Sequence, residues 1–277
     1  MFRPGARVLT LAAYIPAPRG VPSRLPSRRL RCFSLVCLVC LALAVWLAAP
    51  GAAVAGEQAE EFWPEMDVWL RLSPAWRLST FISVSRNIET AYREGAVSVQ
   101  ADYAWGKPGH LYRYRLLDEG RAERMKAWLA RGGYYSGKSL ADNGQAYRER
   151  TAFLELHVRA PLEGGILVSQ RVRTDLRWLG SDAPEFSQRV RYRVMVEKEY
   201  VAGRTSIVPY GSVEAYYDSR YGVVNRVRLI GGGSLAWSPH YALEGNITYQ
   251  HDSRLSVTNL YALNAIVHLF FETAHAR

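Results

Sequence analysis

The chain is 277 residues long with a formal charge of +10, a balance that taken alone suggests nucleic acid or an anionic lipid as partner. The charge is lopsided: residues 1–55 hold seven arginines and no acid, while the rest carries 28 basic against 25 acidic side chains. That near-balance excludes a nucleic-acid-binding role. All three cysteines (Cys32, Cys37, Cys40) lie in the same leader, which excludes a disulfide framework, a thiolate metal site and a cysteine nucleophile downstream.

The leader reads as a secretory signal peptide. Arg28, Arg29 and Arg31 form a positive n-region, 32–49 is an apolar run, and Ala53 and Ala55 supply the small-x-small cleavage site before Gly56. A membrane anchor is the competing reading, since the run is almost long enough to span. A cleavage site directly after it favours removal. Residues 1–27, rich in Pro and Arg, predict no structure. The chain therefore divides into an extension with its signal peptide (1–55) and one domain (56–277). A cysteine-free mature chain suits passage through an oxidising compartment.

From Phe62 onward, apolar residues recur at every second position, the period of a strand with two unlike faces. Met66, Val68, Leu70 and Leu72 share a face against Glu65, Asp67 and Arg71. Trp76, Leu78, Thr80, Ile82 and Val84 follow after a Ser-Pro-Ala turn. Next come Val97, Val99, Ala101, Tyr103 and Trp105 against Ser98, Gln100 and Asp102. A turn is expected at 106–109, and Tyr112, Tyr114 and Leu116 alternate after it. The rhythm then breaks. Ala122, Met125, Trp128 and Leu129 sit at helical spacing within 121–131, with Gly132-Gly133 as a stop, so a helix on a long loop over 118–147 is predicted. A loop folding into a barrel mouth is the sharper form of that reading.

Alternation resumes with Leu154, Leu156 and Val158 against Glu155, His157 and Arg159. Four further strands follow through Val168–Trp178, Val190–Val196, Ile207–Tyr217 and Val227–Trp237, then Tyr241–Tyr249 and a long last strand. In that last strand Tyr261, Leu263, Val267, Leu269 and Phe271 fall on one continuous apolar face. Such a face, with a terminal aromatic, matches the insertion signal of a membrane barrel, although six residues follow Phe271. An edge strand of a soluble β-sandwich is the alternative for this strand alone. Short and longer connections interleave, and Trp76, Trp105 and Trp237 flank short turns where an aromatic girdle would lie. The pattern predicts an all-β, antiparallel transmembrane β-barrel. Roughly eleven strands are counted; termini on one side demand an even number, so about twelve are expected.

The polar face is repeatedly arginine. Arg171, Arg173, Arg177, Arg189, Arg191, Arg193, Arg226 and Arg228 form a ladder on successive strands, with Glu155, Asp175, Glu197, Glu214 and Asp218 as expected partners. Charge rows lining a lumen set the selectivity of a pore, and the same rows closely packed fill a narrow interior and close it. Both readings stay open. A barrel enzyme needs Ser and His close together, for which His157, beside Glu155 and near Ser169, is the best candidate; no recognisable nucleophile motif, metal spacing or cofactor fingerprint accompanies it. The expectation is therefore no enzyme, no metal and no cofactor.

The stretch Glu61-Phe62-Trp63-Pro64-Glu65-Met66-Asp67-Val68-Trp69-Leu70-Arg71-Leu72-Ser73-Pro74 resembles the opening of a bacterial family carrying domain of unknown function 2490. Arg171-Val172-Arg173-Thr174-Asp175-Leu176-Arg177-Trp178, Tyr217-Asp218-Ser219-Arg220-Tyr221 and Asn225-Arg226-Val227-Arg228 resemble its later strands. The resemblance implies an outer-membrane β-barrel and carries over no catalytic residue. The partners that follow from this reading are outer-membrane lipid and lipopolysaccharide, with the barrel assembly machinery during insertion. A monomer that binds no nucleic acid is expected.

Overall fold

The computed structural model describes residues 57–90, 92–109, 125–140, 148–162, 166–180, 184–202, 205–254 and 257–273. The leader and its cleavage site lie outside these residues, as do the expected strand at 112–116 and the first part of the expected helix. The described residues contain strands and no helix: β1 (Glu57–Arg71), β2 (Trp76–Asn87), β3 (Arg93–Gly109), β4 (Met125–Ser139), β5 (Arg148–Leu162), β6 (Ile166–Leu179), β7 (Glu185–Lys198), β8 (Tyr200–Ala202), β9 (Thr205–Asp218), β10 (Val223–Ser238), β11 (Tyr241–Asp252) and β12 (Val257–Glu272).

Each long strand pairs antiparallel with the next, and the sheet closes on itself through β1 and β12. The wall contains eleven strands, because β8 is a short hairpin partner that pairs only with the start of β9. The expected even number is thereby corrected. An odd closed barrel must join its first and last strands in parallel, and β1 and β12 do so from Glu57↔Val257 to Arg71↔Glu272. The described chain therefore enters at one mouth and leaves at the other. We refer to these as the N-terminal mouth (where β2 meets β3, β4 meets β5, β6 meets β7, β9 meets β10 and β11 meets β12) and the C-terminal mouth (where β1 meets β2, β3 meets β4, β5 meets β6, β7 meets β9 and β10 meets β11).

Two local expectations are overturned. The expected turn at 106–109 is a bulge inside β3: the register with β4 shifts between Trp105 and Pro108, and Gly106 takes a φ of 98° that a side chain would resist. The helix expected over 121–131 is replaced from Met125 onward by β4, which pairs along its length with β3 and β5. Gly132-Gly133 lies inside that strand. A Cβ on Gly133 would meet the Phe153 ring at 2.6 Å and the Val99 carbonyl at 2.7 Å, so glycine here makes room for the wall to curve closely. β3 ends and β4 begins at the C-terminal mouth, the side of the short turns, which the alternation of short and long connections does not anticipate. Pro64 sits where the β1–β2 ladder skips from Phe62 to Glu65, the place its missing N–H allows.

The two-faced pattern itself holds on every long strand. Ile82, Val99, Leu154, Ile247 and Leu263 point outward and are exposed, while Asp102, Glu155, Asp175, Glu214 and Asp252 point inward and are buried. This is the reverse of a water-soluble protein, in which large apolar side chains go inside. Two aromatic bands flank the apolar wall. Trp76, Tyr103, Trp128, Trp237, Tyr241 and Phe271 ring the C-terminal mouth; Phe62, Tyr134, Phe186, Tyr217 and Tyr261 ring the other. Neighbours in the first band touch: the Trp76 and Tyr103 rings lie 4.9 Å apart, and Trp105 stacks on Trp128 at 6.2 Å. Between Tyr261 and Phe271, a strand with the tilt usual in barrels rises about 25 Å, the height of a bilayer's apolar band.

Candidate functional site: a charge-divided lumen

The interior begins with strand parity. Once apolar side chains claim the outer face, each polar residue between them is forced inward, where it must find a partner or pay for its burial. The arginine ladder does so across strands. Asp175, fully buried on β6, accepts hydrogen bonds from Arg189 Nε at 2.8 Å and Arg191 Nε at 2.9 Å, and also holds Arg173. Glu155 on β5 takes Arg173 Nη1 at 2.9 Å and His157 Nε2 at 2.8 Å, with Arg131 and Arg171 at 3.5 Å. Arg171 also bonds Glu214 on β9. Nearer the N-terminal mouth, Arg177 joins Glu149 at 2.9 Å and Asp218 at 3.1 Å, and Arg226 joins Asp252 at 2.8 Å.

Two members of the ladder are different. Among the described residues no carboxylate lies within ion-pair distance of Arg193 or Arg228. Arg228 donates from Nε to Gln250 at 2.6 Å and lies over the Trp63 and Tyr216 rings, at 5.4 and 5.2 Å from their centroids. Arg193 stands directly opposite Arg171 on β6, and Arg191 stands opposite Arg173, so two arginine pairs stack across the β6–β7 ladder. Like charges so placed repel unless something negative offsets them. Glu155, Asp175 and Glu214 do part of that. Tyr216 sits at the centre of the cluster, 1 % exposed, with the guanidinium groups of Arg189, Arg191, Arg226 and Arg228 within 5.6 Å of its ring.

The facing wall is acidic. Glu61, Glu65 and Asp67 project from β1, which in the closed order lies across the lumen from β6 and β7. His268 on β12 joins this side through Asp67 at 3.1 Å and Glu244 at 3.2 Å. Between the walls lie two cavities, of about 460 Å³ toward the N-terminal mouth and about 340 Å³ toward the C-terminal mouth. They share Glu65, Phe81, Arg171, Arg173, Arg193, Ile230 and Asn246 as lining, so this layer divides them, with a carboxyl group on one side and three arginines on the other.

Each mouth is narrowed differently. At the C-terminal mouth Trp69 and Phe270 stack with centroids 6.4 Å apart and pack with Ala236 and Ala242 in a buried apolar cluster. Arg77 covers Trp69 at 4.4 Å, and Asp102 clamps Arg77 and Arg131 with bonds of 2.9 and 2.7 Å. At the N-terminal mouth the contacts are polar. Hydrogen bonding to Asp218 raises Arg220's affinity for its proton, and burial beside Glu94 and Glu61 pushes the Tyr92 hydroxyl up to about 12.

All eight ladder arginines project into the lumen, and Arg171, Arg173, Arg189, Arg191, Arg193, Arg226 and Arg228 line the larger cavity. Glu197 lines the smaller one, and Arg177 and Asp218 sit beyond both, at the N-terminal mouth. Among the described residues Ser169 Oγ makes no hydrogen bond, and His157 Nε2 is held by Glu155 at 2.8 Å. No group of three or more potential metal ligands is present among the described residues. Sequence reasoning missed Trp63, Trp69 and Tyr216 as interior residues. Parity was the available signal, since each lies two positions from an inward acid: Trp63 from Glu61, Trp69 from Asp67, Tyr216 from Glu214. No family model matches the chain, and no curated protein matches it in sequence.

Proposed function

We propose that this chain is an integral outer-membrane β-barrel of the family it resembles, acting as a narrow passage for small anionic solutes. The observation that carries the membrane reading is the inversion of polarity across the wall: a charge-free apolar belt outside, bounded by two aromatic bands, and buried ion pairs within. A lipid-facing surface must exclude charge, at about 2–4 kcal/mol for Arg or Lys at the midplane, whereas a water-facing surface has no such requirement.

The anionic preference rests on Arg193 and Arg228. Their guanidinium groups face the cavities without a carboxylate partner, Arg193 across the lumen from the acidic residues of β1 and Arg228 against Trp63 of β1. The resulting transverse field would orient a small anion and hold it on the arginine side. A second reading, a closed barrel with a structural or interaction role, is favoured by the Trp69–Phe270 cluster at the C-terminal mouth.

Conductance in a planar bilayer separates them. The passage predicts discrete steps with an anion-biased reversal potential, and a selectivity reduced several-fold in the Arg193→Gln, Arg228→Gln double variant. These two residues are the right probes because neutralising an ion-paired arginine such as Arg173 or Arg191 would strand buried carboxylates and unsettle the fold. Silence from folded, inserted protein would refute the passage and leave the closed barrel.

A further inference from the structure

The outer face of the barrel bears little charge, yet one sector at the N-terminal mouth collects five cations. Arg86 on β2, Arg93 on β3, Lys138 on β4, and Arg148 and Arg150 on β5 are all exposed and occupy outward positions. The register makes them one row. Arg86 is directly opposite Arg93, Lys138 is directly opposite Arg148, and Arg150 faces Ser136, two positions along β4 from Lys138. Directly opposed side chains on neighbouring strands lie within about 5.5 Å at Cβ, where like charges destabilise the sheet. Inside the lumen the stacked arginines have Glu155, Asp175 and Glu214 among them; here, among the described residues, no ion pair is made. Glu60, Glu89 and Glu185 are exposed at the same mouth, and none lies within ion-pair distance of the five. The row borders the aromatic band: Arg86 pairs with Phe62 and Arg150 with Trp178.

We propose that this row binds the phosphate groups of anionic lipid headgroups in the leaflet that surrounds the N-terminal mouth. The inference rests on the membrane reading above and adds its lipid partner. Position argues for a headgroup: the cations stand outside the wall, just beyond the apolar belt and level with its aromatic edge, where headgroups begin. Charge argues for phosphate, which bridges neighbouring guanidinium groups and offsets the repulsion that the fold leaves standing. The sector spans four adjacent strands, enough to seat headgroups on one side of the barrel, while the rest of the rim mixes exposed Glu60, Glu185, Arg220 and Arg254 with neutral Gln188, Ser219 and His251 and has no comparable row of like charge.

The test compares the protein with its Arg93→Gln, Lys138→Gln, Arg148→Gln variant in phosphatidylcholine vesicles with and without phosphatidylglycerol, following thermal unfolding and the lipids retained on mild extraction. In phosphatidylcholine alone the variant should be at least as stable as the parent, because two repulsive pairs are gone. With phosphatidylglycerol the order should reverse, and enrichment of the anionic lipid on the parent should exceed that on the variant by on the order of tenfold. Equal responses of the two proteins would overturn the proposal, as would equal stabilisation by dissolved inorganic phosphate. A chain that inserts into neither vesicle would overturn the membrane reading as well; insertion without lipid preference would overturn this inference alone.

Discussion

At the scale of single residues, the molecule depends on carboxylates that each hold several arginines. Asp175 is the sharpest case, with no exposure and three guanidinium groups around it. Removing one partner of a buried charge network leaves the others uncompensated, which costs about 3–5 kcal/mol. Asp175→Asn should therefore lower stability by about that amount in a urea titration of the inserted barrel. Arg193→Gln, which breaks no ion pair, should change it little. These roles were partly legible in advance. Alternation placed Asp175 on the arginine face, but the sharing of one carboxylate by Arg189 and Arg191 on another strand depends on the pairing Asp175↔Arg189, which only the folded sheet supplies.

At the scale of elements, strand periodicity was legible and strand ends were not. β12 shows why: its outer face is continuous from Tyr261 to Phe271, so a register shift of one residue would turn six apolar side chains inward. β4 shows the converse. Trp128 and Leu129 fit a helical spacing in a short window, yet Trp128 points outward beside Trp105 and Leu129 inward at 2 % exposure, because β3 and β5 both lack a partner there. Long-range pairing overrode a weak local pattern. The apolar face carries its own prediction. Ile247 and Leu154, each 65 % exposed in mid-strand, should tolerate arginine within about 0.5 kcal/mol if water surrounds them. In a bilayer Ile247→Arg or Leu154→Arg should cost about 2–4 kcal/mol, read from denaturant midpoints in vesicles.

At the scale of the whole molecule, strand number governs orientation. Eleven wall strands with a parallel β1–β12 seam place Gln58 and Thr273 at opposite mouths; an even-stranded barrel would bring them together. Single cysteines at these two positions, in a chain whose own cysteines are confined to Cys32, Cys37 and Cys40, should react with a membrane-impermeant maleimide from opposite sides of a vesicle. Labelling of both from one side would refute the odd closure.

Alternation along each strand by itself determined that this chain builds a sheet with one apolar and one charged face, because side-chain direction in a strand follows residue number alone. It also determined that the arginines share the interior, since the opposite parity was already taken by Val, Leu and aromatic residues. Tertiary structure decided the rest. Strand count, the parallel seam, the 106–109 bulge and the carboxylate that each arginine meets all depend on which strands become neighbours, and neighbours are chosen by closure of the ring rather than by any local run of residues. The same closure set β1 opposite β6 and β7, and so turned two separate patterns of charge into the two walls of one lumen.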